Sequence, residues 1–161
     1  PAPPSKSGES RPTRGRPPGP ISTSTSALRI LLTDDDKLHC KVLRRQICVA
    51  AGGEQNVDLT VCHDGTEALQ AYRESAQAFD IILTDFHMPQ MSGPELAKSI
   101  ALEGDARPRP KLVLLSGEAE VEPEVSALFD KLFTKPVDLD QLRKLIADNK
   151  PAPPSISVEN R

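Results

Sequence analysis

Five side chains in this sequence have the types and spacing to handle phosphate beside a cation: Asp34 and Asp35, Asp85, Ser116 and Lys135. Each stands just after a short apolar run, namely Leu28 to Leu32, Ile81 to Leu83, Leu112 to Leu115, and Leu132-Phe133. Runs of this length, bounded by turn residues, read as buried strands rather than helices. Carboxylates gathered in one pocket repel each other, and the arrangement persists only if some are protonated or a cation joins them. A hard divalent ion with oxygen ligands meets that need, and Mg²⁺ takes one or two carboxylates and a phosphate oxygen while keeping several waters. Lys135 adds a mobile positive charge and Ser116 a hydroxyl donor, both suited to phosphoryl oxygens. In such a site Asp85 is the nucleophile, attacking phosphorus to give an acyl phosphate.

The elements that must bring these groups together are legible as alternating periods. Leu28 to Thr33 reads as a first strand, followed by a helix with Leu38, Val42, Leu43, Ile47 and Ala50 as one apolar stripe and Gly52-Gly53 as its stop. Val57 to Cys62 is the second strand, with Asp64-Gly65 as a turn and Thr66 to Ser75 as a helix through Ala68, Leu69 and Tyr72. The third strand closes on Asp85, and Pro94 opens a helix carrying Leu96, Ile100 and Ala101. Lys111 to Leu115 is the fourth strand and Lys131 to Thr134 the fifth. Only a short or irregular helix, Glu124 to Phe129, is expected between them. Asp138 caps a last helix whose buried face is Leu139, Leu142, Leu145 and Ile146. Strands alternating with helices imply an α/β open parallel sheet with right-handed crossovers and helices on both faces. Its carboxyl edge, where all five candidate side chains fall, is where such sheets bind ligands.

Composition sets the limits of this domain. Residues 1–27 hold seven of the sixteen prolines and a Ser/Thr run, and residues 150–161 are alike in character, so both read as disordered linkers around a domain spanning 28–149. The string Pro-Ala-Pro-Pro-Ser occurs in both flanks, and the chain opens on Pro rather than Met, as a fragment or processed piece would. Lys6, Arg11, Arg14 and Arg16 against Glu9 give the first flank a net charge of +3; Lys150 and Arg161 against Glu159 give the last +1. A chain total of −3 therefore leaves −7 on the domain. An acidic domain is a poor direct binder of nucleic acid. Cys40, Cys48 and Cys62 are odd in number and lie within periodic segments, the pattern of free thiols in the reducing cytoplasm. No apolar run approaches a membrane span. His63 at the second strand end and His39 early in the first helix read as surface residues.

The stretches Ile30 to Asp36, Asp64 to Leu69, Asp85-Phe86-His87-Met88-Pro89-Gln90-Met91-Ser92-Gly93, Leu115-Ser116-Gly117 and Thr134-Lys135-Pro136 occur in one order. In that order they resemble the receiver domain of two-component signalling, found in response regulators and hybrid histidine kinases. The resemblance covers about Leu28 to Ala147. It implies a flavodoxin-like doubly wound sheet of five parallel strands in the order 2-1-3-4-5. Asp85 would be the phosphoacceptor, Mg²⁺ the cofactor, and a histidine kinase or histidine phosphotransfer domain the donor, with self-phosphorylation and autodephosphorylation at Asp85 as the activity. Asp35, Asp85 and the backbone carbonyl of His87 would ligate the ion, Asp34 would hold it through water, and Ser116 and Lys135 would bind the phosphoryl group. It further implies a cis bond at Lys135-Pro136, while the composition of the two flanks suggests a domain tethered within a larger kinase chain.

Three departures from the family pattern bear on output. The place of the usual switch aromatic is taken by Leu132, with Phe133 expected in the core; the stretch from Ser116 to Lys135 is short; and Gly117 stands where Ala is commoner. They set an alternative beside the phosphorelay reading, a pseudo-receiver that binds proteins without productive phosphorylation. An aspartyl-phosphate phosphatase needs a second acid two residues after its nucleophile, where this chain has His87. A flavodoxin-like redox protein needs a Ser/Thr/Gly-rich phosphate loop after the first strand, where this chain is acidic.

Overall fold

The five apolar runs become strands β1 (Leu28–Thr33), β2 (Val57–Cys62), β3 (Ile81–Asp85), β4 (Lys111–Ser116) and β5 (Lys131–Thr134). The computed structural model describes residues 27–104 and 106–150. Apart from Ala27 and Lys150, the expected linkers therefore lie outside the described residues. The strands pair in the order β2-β1-β3-β4-β5, all parallel, as the doubly wound reading requires. Helices α1 (Lys37–Ala50), α2 (Gly65–Glu74), α3 (Gly93–Leu102), α4 (Pro123–Ser126) and α5 (Leu139–Asn149) make the crossovers, with a 3-10 turn at Glu54–Asn56 before β2.

Alternation along the strands divides the core in two. Leu28, Ile30 and Leu32 of β1 point to the face covered by α1 and α5, where they meet Cys40, Leu43, Ile47, Leu142, Leu145 and Ile146. Leu31 and Ile82 point to the opposite face, onto Ala68, Leu69 and Tyr72 of α2 and Leu96, Ala97 and Ile100 of α3. Covered on both sides, β3 is buried at all five positions, which is why it reads as a continuous apolar run rather than an alternating one. None of the helices in the described residues is long and apolar enough to cross a membrane.

Polar caps turn the chain sharply at the carboxyl edge. The Asp36 carboxylate accepts the N–H groups of Leu38 and His39, Asp64 that of Glu67, and Asp138 that of Asp140. Ser92 and Glu95 form a reciprocal capping box at α3. Gly93 is required by close approach, since a Cβ there would run into the Asp85 carbonyl oxygen. Gly52, with φ of 80°, releases the chain after α1 in the manner expected of it.

Three helix assignments need correction. In α1 the buried stripe is Cys40, Leu43 and Ile47, while Leu38 is 71% and Val42 49% exposed. The helix has two apolar stripes, and the sheet takes the one that follows from the Asp36 cap. In α3, Ala97 rather than Ala101 faces the core. The helix expected over Glu124 to Phe129 is a single turn opened by Pro123, and Phe129 is buried beyond its end.

The α1 assignment carries a stability test. Leu43→Ala is expected to cost about 2–5 kcal/mol, as a truncated core leucine does, and Leu38→Ala no more than about 0.5 kcal/mol. Urea unfolding midpoints of the two variants measure the difference, and equal losses would contradict the observed face.

Candidate functional site

The register of the sheet assembles the site. Thr33 of β1 lies opposite Thr84 of β3, so Asp34 and Asp85 leave the sheet side by side. Ser116 of β4 lies opposite Thr134 of β5, and the Lys135 N–H donates to the Ser116 carbonyl at 2.8 Å, which sets Lys135 at the same edge. The Lys135–Pro136 bond is cis, as the resemblance implied.

Lys135 Nζ lies 2.8 Å from Asp85 Oδ1 and 3.1 Å from Asp34 Oδ2, one ammonium serving two carboxylates. Asp34 is fully buried, and its Oδ1 accepts the Asp36 N–H at 2.9 Å. Asp85 is buried as well, with Oδ1 accepting the Phe86 N–H. Asp35 is exposed at the mouth, and one oxygen each from Asp34, Asp35 and Asp85 lie within 4.8 Å of one another. Ser116 is buried, its Oγ accepting the Glu118 N–H at 3.0 Å. His87 holds its ring at the rim, tilted by 47° against that of Phe86 with centroids 4.5 Å apart, and with Nε2 3.5 Å from Glu118 Oε1. The structure thus brings together Asp34, Asp35, Asp85 and Lys135, sets Ser116 at the same edge beside Lys135, and leaves the His87 side chain at the rim. Leu132 is exposed and Phe133 buried, as the departure from the family pattern anticipated.

Two histidines read as surface residues from sequence are not. His39 Nδ1 contacts Asp34 Oδ2 at 2.5 Å, from the first turn of α1. His63 Nδ1 lies 3.1 Å from the Asp34 carbonyl oxygen, which can only accept, so that nitrogen carries the hydrogen. Cys40 Sγ, 3.3 Å away, donates to the same carbonyl. Burial, followed by the nearby Asp34 and Asp36 charges, pushes the Cys40 thiol up to about 11, which keeps it protonated as a donor. The signal for His39 was its place just beyond an aspartate cap, where the helix's first turn faces the preceding strand end. His63 carried no such signal, because Cys40 is distant in sequence.

The two central carboxylates are driven apart in acidity. Burial pushes Asp34 up, but hydrogen bonds from His39, Asp36 and Lys135 outweigh it and hold the group below the ordinary carboxylate range. Burial also pushes Asp85 up, and with the adjacent Asp34 charge it prevails over the bonds from Lys135 and Phe86, so that Asp85 stays above that range. Lys135 would be lowered by burial, but its bonds to Asp85 and Asp34 raise it. The pocket therefore contains one firmly ionised carboxylate and one more basic one beside a firm cation. Three hard oxygen donors this close fit a divalent ion such as Mg²⁺, and the more basic carboxylate is the better nucleophile.

A family model described as the response regulator receiver domain matches residues 30–147. The two-component response regulator ORR21 of Oryza sativa subsp. indica is 30% identical over 122 residues, 73% of this chain but only 16% of its own length. ORR41 of Oryza sativa subsp. japonica, also a two-component response regulator, is 31% identical over 123 residues, 74% of this chain and 92% of that one. Among solved structures, the receiver domain of the Francisella response regulator 1452 superposes with a TM-score of 0.60 at 26% identity, covering 76% of this chain and 95% of that one.

The shift on Asp85 has a measurable sign. Its folded-state value lies above that of the unfolded chain, so the folded protein retains the proton longer and ionisation of Asp85 opposes folding. That opposition is absent below the ordinary value of 3.8, grows between 3.8 and the folded value, and is complete above it. Without added metal, Asp85→Asn is expected to be more stable than wild type at neutral pH, with the gain disappearing below 3.8. Urea midpoints against pH read this directly; a variant less stable at neutral pH would reverse the sign.

Proposed function

The chain belongs to the response regulator receiver domain family, and on that premise we propose that it accepts a phosphoryl group on Asp85 from a phosphohistidine of a kinase or phosphotransfer domain. The observation that carries this reading is Lys135 Nζ at 2.8 Å from Asp85 Oδ1, inside a pocket of three acids. An Asp85 oxygen attacks phosphorus, the bond from phosphorus to the histidine nitrogen breaks, and its electron pair returns to the imidazole. Lys135 turns its ammonium to the phosphoryl oxygens, and the Ser116 hydroxyl donates a hydrogen bond to another. Asp34, Asp35, Asp85 and the His87 carbonyl would hold Mg²⁺, with Asp34 acting through water. When bound, the ion neutralises charge on the phosphoryl oxygens.

The sharing of Lys135 also links chemistry to conformation in this reading. Ser116 Oγ accepts the Glu118 N–H while its own proton is free to reach a phosphoryl oxygen. Any movement of Ser116 toward that oxygen draws on the loop that leads into α4. Residues 28–149 act as the receiver, the proline-rich flanks as tethers to a larger kinase chain, and the cytoplasm as the compartment.

Incubation with Mg²⁺ and acetyl phosphate tests the reaction. Wild type is expected to gain the mass of one phosphoryl group, Asp85→Asn none, and chelation of the metal should abolish the gain. Lys135→Met should slow the gain by roughly 10²–10³-fold, the loss typical of one preorganised charge at a reacting oxygen. Intact-mass spectrometry over time reads all four. An unmodified wild type, or modification surviving in Asp85→Asn, would refute the assignment.

A further inference from the structure

The contact between His39 and Asp34 is not used by the reaction as written above. Asp34 Oδ2 has two donors, Lys135 Nζ at 3.1 Å and His39 Nδ1 at 2.5 Å. Lys135 is shared between Asp85 at 2.8 Å and Asp34 at 3.1 Å, and a turn of its ammonium toward phosphoryl oxygens, or away from a cation among the three acids, loosens the longer contact to Asp34. A buried carboxylate oxygen left by its donor is unfavourable, and more so when it is ionised. Asp34 is fully buried. His39 is placed to remain when Lys135 goes. Its backbone N–H is bound by the Asp36 cap, so its position is set by α1 and does not depend on β5. Facing a carboxylate oxygen that also accepts from Lys135, Nδ1 is placed as a donor.

We propose that His39 is a positioning residue of the cation site, keeping the Asp34 carboxylate oriented and partnered while Lys135 turns from Asp34 toward the phosphoryl oxygens. The inference rests on the Mg²⁺-dependent reading above and adds to it a group on α1 that fixes an acid of the metal pocket from behind. It also gives His39 a role other than that of a phosphodonor, since the nitrogen facing the pocket is committed to Asp34.

The test is a Mg²⁺ titration of the full chain, followed through the backbone amide signals of Asp35, Asp85 and Phe86. His39→Leu removes the donor, whereas His39→Asn retains an N–H at nearly the place of Nδ1. The apparent Mg²⁺ dissociation constant of His39→Leu is expected to weaken about tenfold, as loss of a group supporting a metal ligand does, and that of His39→Asn to stay within about twofold of wild type. Urea unfolding of the metal-free proteins, run alongside, separates a change in folding from a change in the site. Equal Mg²⁺ affinity of His39→Leu and wild type would overturn the proposal, as would His39→Asn binding as weakly as His39→Leu. A wild type that binds no Mg²⁺ would overturn the metal reading itself, and this inference with it.

Discussion

Two carboxylates emerge side by side because β1 and β3 are neighbours, and a single ammonium from β5 holds them. With oxygens within 4.8 Å, the repulsion between two such charges at an effective dielectric of 20 is roughly 3–4 kcal/mol. That is a large part of the stability of an ordinary domain. Lys135 offsets it by touching both at once, across the width of β4. The strand order and the length of the lysine side chain are therefore one constraint. In a sheet with β5 elsewhere, Asp34 and Asp85 would sit at the same edge without their shared cation.

The two acids are held very differently. Asp34 is fixed through both its side chain and its main chain: Asp36, His39 and Lys135 bond its carboxylate, and Cys40 and His63 bond its carbonyl. The bonds to the Asp85 carboxylate are those from Lys135 and Phe86. Their acidities diverge for that reason, since donors stabilise the charged form of Asp34 more than that of Asp85. A framework acid benefits from being rigid and ionised. A nucleophile benefits from basicity and from oxygens that are not all committed.

The sequence showed this arrangement where local chemistry leaves little choice. Three of the strands, β1, β2 and β5, begin and end at the expected residues, and Asp34, Asp35, Asp85 and Lys135 converge at the sheet's carboxyl edge. It was silent where two local patterns compete. In α1, Leu38 and Val42 form one apolar stripe and Cys40, Leu43 and Ile47 another, so helical spacing alone does not say which faces the sheet. The Asp36 cap sets the helix entry and so decides between them, and the same choice turns His39 toward Asp34 and Cys40 toward its carbonyl. The expected stripe was right at Leu43, Ile47 and Ala50 and wrong at Leu38 and Val42, and that part of the error and the missed histidine have the same origin. His63 was missed for a different reason, since its partners arrive from α1 and the end of β1 only after the sheet has formed.

The period of β5 limits how the site can communicate. In a strand, side chains alternate between faces, so placing Phe133 in the core obliges Leu132 to face outward. An aliphatic side chain there has neither a ring to swing nor a polar group to follow Ser116. The route left beside Ser116 is the loop after β4. Ser116 Oγ holds the Glu118 N–H, and a side chain at Gly117 would meet nothing within 4 Å. α4 is a single turn tied by the N–H groups of Val125 and Ser126 to the Glu122 carbonyl. A one-turn helix has few bonds to lose and shifts as part of its loop. The Ser116–Glu118 bond thus ties the edge of the pocket to the short loop that carries α4.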